Sequence, residues 1–236
     1  MNILIGTGNK HKFQEISFIM KDNCNVRPIC ADNLFGHKDI PEDGLTYKDN
    51  ALIKAEAYYA LLKNNAQNNN IDYIVSEDTG LEVKCLNNEP GLYTARYSVL
   101  DYSDDVNAQA NNIYRKDNSA NIRINNINKL LKKMKSKKDC IYGREAKFVC
   151  WACLYDIKER KHNFFYGELN GSITEELIGT AGFGYDPIFY VPEFNKTLAE
   201  LSKEIKNKIS HRANAFNKVI NFININNKNL NKLNSK

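Results

Sequence analysis

Tyr73-Ile74-Val75-Ser76-Glu77-Asp78-Thr79-Gly80-Leu81-Glu82-Val83 is the stretch whose reading decides the fold. An apolar run leads into two adjacent acids. A hydroxyl and a glycine follow, and the chain then turns extended and apolar again. Carboxylates are costly to bury unless a cation or hydrogen bonds compensate them. A buried strand that ends in an acid pair at a glycine turn therefore predicts a divalent-cation site at the mouth of a sheet. Residues 72–76 read as the strand that delivers Glu77 and Asp78. Leu81 to Leu86 reads as its continuation or as a hairpin partner.

Toward the N-terminus, residues 2–6 read as a buried strand, followed by Thr7-Gly8-Asn9-Lys10-His11-Lys12. An amphipathic helix comes next, with Phe13, Ile16, Phe18, Ile19 and Met20 as its apolar positions. A strand, a glycine turn and a basic helix start can form an anion site, because helix N-terminal amides and the dipole favour negative charge. The same pattern also suits an ordinary strand-to-helix turn. It is not a P-loop, since the GxxxxGK[ST] spacing is absent. Val26 to Cys30 reads as a short second strand, and Asp39 to Gly44 as an acidic turn. Tyr47 to Leu62 has helical periodicity in Ala51, Leu52, Ala55, Tyr58, Tyr59 and Leu62, with Asn50, Lys54 and Glu56 between them. Glu42 lies close enough to that helix to be a helix-terminal acid or part of the site.

Toward the C-terminus, Asn87 to Gly91 reads as a turn, and residues 99–142 as polar, basic surface helices and loops. Within that segment Ile124, Ile127, Leu130, Leu131 and Met134 give one helix a narrow apolar face. The lysine run 132–138 reads as a solvated helix end or as a contact for nucleic acid. Ala146 to Tyr155 is the most strand-like segment, with Asn163 to Leu169 as its hairpin partner and a further extended piece from Gly171. Cys150 and Cys153 have CxxC spacing, but residues three apart on a strand face opposite ways, which argues against a metal site. In Gly182-Phe183-Gly184-Tyr185-Asp186-Pro187 the glycines let backbone approach a flat ligand. Phe183 or Tyr185 could stack on a base and Asp186 could accept its N–H groups, or the aromatics could simply be core. Ser210 reads as the N-cap of the last helix. His211 and Arg212 then oppose the dipole in its first turn, and a bound anion or a purine carbonyl would compensate them.

Composition sets the outer bounds. The chain has 236 residues, net charge +5 and 42% hydrophobic residues, enough for a sizeable core. No apolar run is long enough to span a membrane, and Met1 to Gly6 reads as a strand rather than a signal peptide. Six unclustered cysteines suit a reducing cytoplasm. The expected organisation is one domain over 1–225, with a polar tail over 226–236.

Taken together, five segments carry a resemblance. They are Thr7-Gly8-Asn9-x-x-Lys12-x-x-Glu15, Ser76-Glu77-Asp78-Thr79-Gly80-Leu81, Pro90-Gly91-x-Tyr93-x-Ala95-Arg96-Tyr97, Gly182 to Pro187, and Ser210-His211-Arg212. In this order they resemble the signature set of the inosine triphosphate pyrophosphatase family, over nearly all of residues 2–223. The resemblance implies an α/β fold: a long mixed twisted sheet with flanking helices and two lobes around a central cleft, as a homodimer. It implies magnesium-dependent (Mg2+) hydrolysis of ITP, dITP or XTP to the monophosphate and pyrophosphate, without nucleic-acid or membrane partners.

By the same resemblance, Thr7, Gly8, Asn9, Lys10, His11 and Lys12 match a triphosphate loop, and Lys54 a further phosphate contact. Asp78 matches the general base and a metal ligand, with Glu77 and Glu42 as further metal candidates. Thr79 matches a substrate-contacting hydroxyl, and Phe183, Gly184, Tyr185 and Asp186 match a base pocket. Lys206, His211 and Arg212 match the remaining substrate contacts. The chain departs from the family in having Glu77 where an Asp is common, Asn87-Asn88 for a glycine pair, Glu193-Phe194-Asn195 for a Gly-containing turn, and a longer 99–142 segment. The rivals are a pyrophosphatase for modified pyrimidine nucleotides, against which the purine-pocket motif speaks, and a nucleic-acid binder. The second would leave an acid pair in a site that must attract phosphate.

Overall fold

The computed structural model describes residues 1–23, 26–64, 70–102, 119–137 and 140–234. Among these, eight strands form one mixed sheet in the order β2 (Arg27–Cys30), β1 (Asn2–Gly6), β3 (Tyr73–Val83), β5 (Glu145–Asp156), β6 (Lys161–Ile173), β7 (Phe189–Val191) and β8 (Lys196–Thr197), with β4 (Glu89–Gly91) paired on β3. The chain gathers into two compact units. The first comprises Met1–Asp78, Cys150–Glu168 and Asn207–Lys236; the second comprises Thr79–Val149 and Leu169–Lys206.

The first unit is built on β1 (Asn2–Gly6), flanked in parallel by β2 (Arg27–Cys30) and by β3 (Tyr73–Val83). Helix α1 (Lys10–Asn23) connects β1 to β2; α2 (Ala31–Phe35) and α3 (Tyr47–Lys63) lead on to β3. Strand alternation decides which helix each residue meets. Ile3, Ile5, Val75, Cys150, Ala152 and Leu154 join Ile16 and Met20 of α1 and Phe216 and Ile220 of α6 (His211–Asn234) in one core. Leu4, Ile74, Cys153 and Tyr155 join Ala51, Ala55 and Tyr58 of α3 in another. Cys150 and Cys153 of β5 (Glu145–Asp156) thus lie on opposite faces of the sheet, as their spacing requires. Neither of these two cysteines is in a disulfide.

The helix starts follow from local chemistry. Thr46 caps α3 by accepting the Asp49 N–H at 3.1 Å, and Ser210 caps α6 by accepting the Ala213 N–H at 3.1 Å. Phe18 of α1 is 41% exposed, so the apolar stripe is narrower than the sequence pattern suggests.

In the second unit, β4 (Glu89–Gly91) returns antiparallel along the end of β3. A 3-10 segment, Thr94–Tyr102, packs on α4 (Ser119–Lys135). Asn126 of α4 fixes that contact by accepting the Ser98 N–H and donating to the Ala95 carbonyl. Ile127, Leu130 and Met134 are buried as expected, but Ile124 is 44% exposed. Within the lysine run, Lys133 pairs with Glu89 at 2.7 Å. Lys138, and 103–118 of the 99–142 segment, lie outside the described residues.

Two further expectations are corrected. The segment from Gly171 is not a separate piece but the end of β6 (Lys161–Ile173), which pairs with β7 (Phe189–Val191). Asp186 heads a 3-10 turn, Asp186–Ile188, before β7. β8 (Lys196–Thr197) and α5 (Lys203–Ile209) complete the order. Residues 226–234, expected as tail, continue α6. No described helix is long and apolar enough to cross a membrane.

Candidate active site

The last registered pair between β1 and β3 is Gly6 with Ser76. Strand β3 therefore runs on past the carboxyl end of β1, and its next two residues are Glu77 and Asp78. At this end β1's neighbours diverge, one reached through α1 and the other through α3. In open α/β sheets this switch point is where ligands are held. The loop leaving β1 is Thr7 to Asn9, and Asn9 caps α1. Its Oδ1 accepts the N–H groups of His11 and Lys12 at 2.9 and 3.1 Å. Gly8, Asn9, Lys10 and His11 are exposed there, at a helix end suited to an anion.

Adjacent residues on a strand point to opposite faces, and this separates the two acids. Glu77, 2% exposed, turns toward α1 and α6. Lys12 Nζ lies 2.7 Å from its Oε1 and Arg212 Nη2 lies 3.8 Å from its Oε2. Arg212, 1% exposed, also holds Glu15 of α1. Arg212, at the start of α6, is thus compensated from within the chain, by carboxylates. Burial alone would push Glu77 upward, but Lys12, Arg212 and Lys54 outweigh it and hold the carboxyl well below its ordinary range. His211, also in that first turn, is 4% exposed.

Asp78 turns the other way, toward α3. Asn50 Nδ2 donates to its Oδ2 at 3.0 Å, and Lys54 Nζ lies 3.6 Å from its Oδ1. The same ammonium lies 3.2 Å from Glu42 Oε1. Burial is the largest influence on Asp78 and raises it. Lys54 pulls it down and Glu42 pushes it up again, leaving the group above its ordinary value. Glu42 loses water to its neighbours, which raises it, but Lys54 and Lys12 outweigh this and leave it lowered. For Lys54 burial favours the neutral amine, yet Asp78, Glu42 and Glu77 together hold it above its ordinary value.

Asn50 and Glu15 are the polar groups here to which the sequence reading gave no role. Asn50 is 2% exposed, and its Oδ1 accepts the Gly44 N–H at 2.8 Å. Its sequence signal was an amide among the apolar positions of a helix, where Asn is a poor helix former.

In the second unit, Asp186 Oδ2 accepts the Phe183 N–H at 2.8 Å and meets Lys206 Nζ at 2.7 Å. Lys206 also lies 4.5 Å from the centre of the Phe183 ring. Tyr185 is 3% exposed and donates its hydroxyl to the Thr94 carbonyl at 3.1 Å; burial pushes the phenol up. Of the two aromatics, then, Tyr185 is core and Phe183 is half-buried. Gly184 at φ +58° offers its carbonyl to Arg123 Nε at 3.0 Å. Thr79 is half-buried on β3.

Among the described residues no three His, Cys, Asp or Glu side chains converge as a ready-made metal cage. Glu42 and Asp78, however, already share one cation, the Lys54 ammonium. Magnesium is commonly held by one or two carboxylates together with water and substrate phosphate, so this oxygen pair fits it.

A model of the Ham1 family matches residues 3–222. A dITP/XTP pyrophosphatase of Staphylococcus epidermidis is 38% identical over 214 residues, covering 91% of this chain and 92% of that protein. The solved structure of the Staphylococcus aureus Ham1 protein is 34% identical, with a TM-score of 0.70 over 95% of this chain and 98% of that one. A HAM1 protein structure from Coxiella burnetii is 28% identical, with a TM-score of 0.73 over the same shares, 95% and 98%.

Proposed function

The chain belongs to the Ham1 family, and from that premise we propose that it hydrolyses dITP, XTP and ITP to the monophosphate and pyrophosphate, removing deaminated purines from the nucleotide pool. The observation that carries the reading is Asp78. It is a buried carboxylate past the end of β1, held by Asn50 and Lys54, in a strand whose neighbouring loop opens into the basic start of α1.

The proposed reaction is attack of water on the α-phosphorus. The new P–O bond forms as the bond to the β-phosphate oxygen breaks, and pyrophosphate leaves with that electron pair. Asp78 in its ionised form orients the water and takes its proton. Lys12, Lys54 and the amides of residues 7 to 12 receive phosphate oxygens, the lysines exchanging carboxylate partners for phosphate. Lys10 and His11 flank that loop, and His211 and Arg212 complete the substrate contacts. Glu42 and Asp78 would hold magnesium, and Glu77 joins that set only by exchanging Lys12. Bound there, the ion would neutralise charge on the triphosphate.

For the base, Phe183 offers a face and Asp186 and Lys206 offer polar partners, with Gly184 and Tyr185 shaping the loop and Thr79 a hydroxyl contact. A site that pairs its buried polar groups with a 6-keto purine leaves them unpaired against a 6-amino purine, which is the strong form of discrimination. The enzyme is proposed to act as a cytoplasmic homodimer.

The test is pyrophosphate release from ITP, XTP, dITP, ATP, GTP and dUTP, with and without magnesium. The expected result is magnesium-dependent turnover of the first three, well above ATP and GTP. Equal rates on ATP and ITP overturn the reading. Asp78→Asn is expected to lose roughly 10²–10⁴-fold in kcat with the fold intact. Undiminished turnover by that variant removes Asp78 from its role.

A further inference from the structure

We propose that Asn50 is the positioning residue that sets the orientation of Asp78, and that it does so by tying that carboxylate to the segment carrying Glu42. The inference rests on the role of Asp78 given above. Asn50 lies in the first turn of α3 and is 2% exposed. A buried amide is costly unless both its ends are bonded. Here both are: Nδ2 donates to Asp78 Oδ2 at 3.0 Å, and Oδ1 accepts the Gly44 N–H at 2.8 Å. The two bonds also fix which way round the amide sits. Reversed, it would set an NH2 group against the Gly44 N–H and an oxygen against the carboxylate.

Lys54 cannot do this work alone. Its ammonium is 3.6 Å from Asp78 and 3.2 Å from Glu42, and a point charge attracts both without fixing the plane of either. The amide bond is directional. It commits Oδ2 of Asp78 to α3 and so settles how the carboxylate's other oxygen is presented. Its far end anchors Gly44, two residues beyond Glu42. Space is also committed, since a Cβ added at Gly44 would lie 2.7 Å from Asn50 Oδ1. One side chain therefore couples the angle of the base to the placement of the second carboxylate.

The experiment compares Asn50→Asp, Asn50→Ala and Ser76→Ala for kcat and KM on ITP with magnesium, and for thermal unfolding. Asn50→Asp keeps an acceptor for the Gly44 N–H at nearly the same volume but loses the donor to Asp78. Ser76→Ala cuts a neighbouring tie between β3 and α3, the Ser76 hydroxyl to the Ala51 carbonyl at 2.6 Å, and touches no carboxylate. Both Asn50 variants are expected to lose roughly 10- to 100-fold in kcat, the size of a lost outer-shell partner, with KM near wild type. Ser76→Ala is expected to melt lower while keeping its kcat.

Wild-type kcat in Asn50→Asp overturns the proposal. So does a kcat loss in Ser76→Ala equal to that of the Asn50 variants at a matched loss of melting temperature, which would make Asn50 merely structural. If wild type turns over a different nucleoside triphosphate, the function reading fails by itself, and the variants are compared on that substrate.

Discussion

Glu77 and Asp78 are neighbours in sequence but not in chemistry. The period-two rule that separates Cys150 from Cys153 also separates these acids, giving Glu77 to Lys12 and Arg212 and Asp78 to Asn50 and Lys54. The presence of a costly acid pair could be read from the residues alone. The partners of each acid could not, because they come from helices far along the chain. In the loop from Gly182 to Asp186 the logic is tighter. Gly182 has φ +76°, and a Cβ there would lie 2.0 Å from Asp186 Oδ2, the oxygen that also meets Phe183 N–H and Lys206. Gly182→Ala is therefore expected to displace the Asp186 carboxylate. The proposed base contacts should weaken, raising KM for ITP about tenfold, the scale of one charge-assisted hydrogen bond, with a smaller change in kcat. Unchanged KM would remove Asp186 from substrate binding.

At the scale of elements, caps and periodicity located α1, α3 and the start of α6 closely. Strands were harder where glycine intervened. Gly80 sits inside β3, and Gly171 inside β6. Gly171 is there because a Cβ would lie 2.4 Å from the Tyr190 carbonyl oxygen on the paired strand, not because the chain turns. Close approach and turning leave the same letter in the sequence. Gly167 is a second such case. A Cβ there would lie 2.2 Å from the His211 carbonyl oxygen and 2.3 Å from the Ala215 nitrogen, both backbone atoms at the start of α6. Gly167→Ala must push that helix off β6. The expected cost is about 1–3 kcal/mol, or a fall of roughly 2–12 °C in melting temperature by calorimetry. An unchanged melting temperature would show that α6 yields freely at its first turn.

Across the whole molecule, the family was legible because its motifs are contiguous and ordered, and the model match over residues 3–222 bears that out. What contiguity cannot show is contact at long range, such as Arg212 with Glu15, 197 positions apart. Those contacts govern how the protein responds to acid. Glu77 is lowered in the folded state by Lys12 and Arg212 against the upward push of burial. Its contribution to stability is present above the unfolded value, about 4.3, and is lost as pH falls through the folded one. Asp78, raised by burial, works in the opposite sense: it favours the folded state when protonated and loses that contribution as pH rises. Melting temperature is expected to fall on acidification from about pH 5 to about pH 3. Glu77→Gln is expected to melt lower near neutrality, where Arg212 has lost a counter-charge, and to decline less steeply in acid. A variant that parallels wild type throughout would show that other carboxylates carry the acid response.

Lys54 has a consequence for covalent chemistry. Acylating and reductive-alkylating reagents consume the free amine, and only where they can reach it. The Lys54 side chain is 9% exposed, and its carboxylate neighbours hold it in the ammonium form. Its nucleophilicity is thereby suppressed on both counts, while exposed amines such as Lys10 and Lys48 remain open to attack. A lysine proposed to grip phosphate is, by its ion pairs with Glu42 and Asp78, shielded from adventitious acylation.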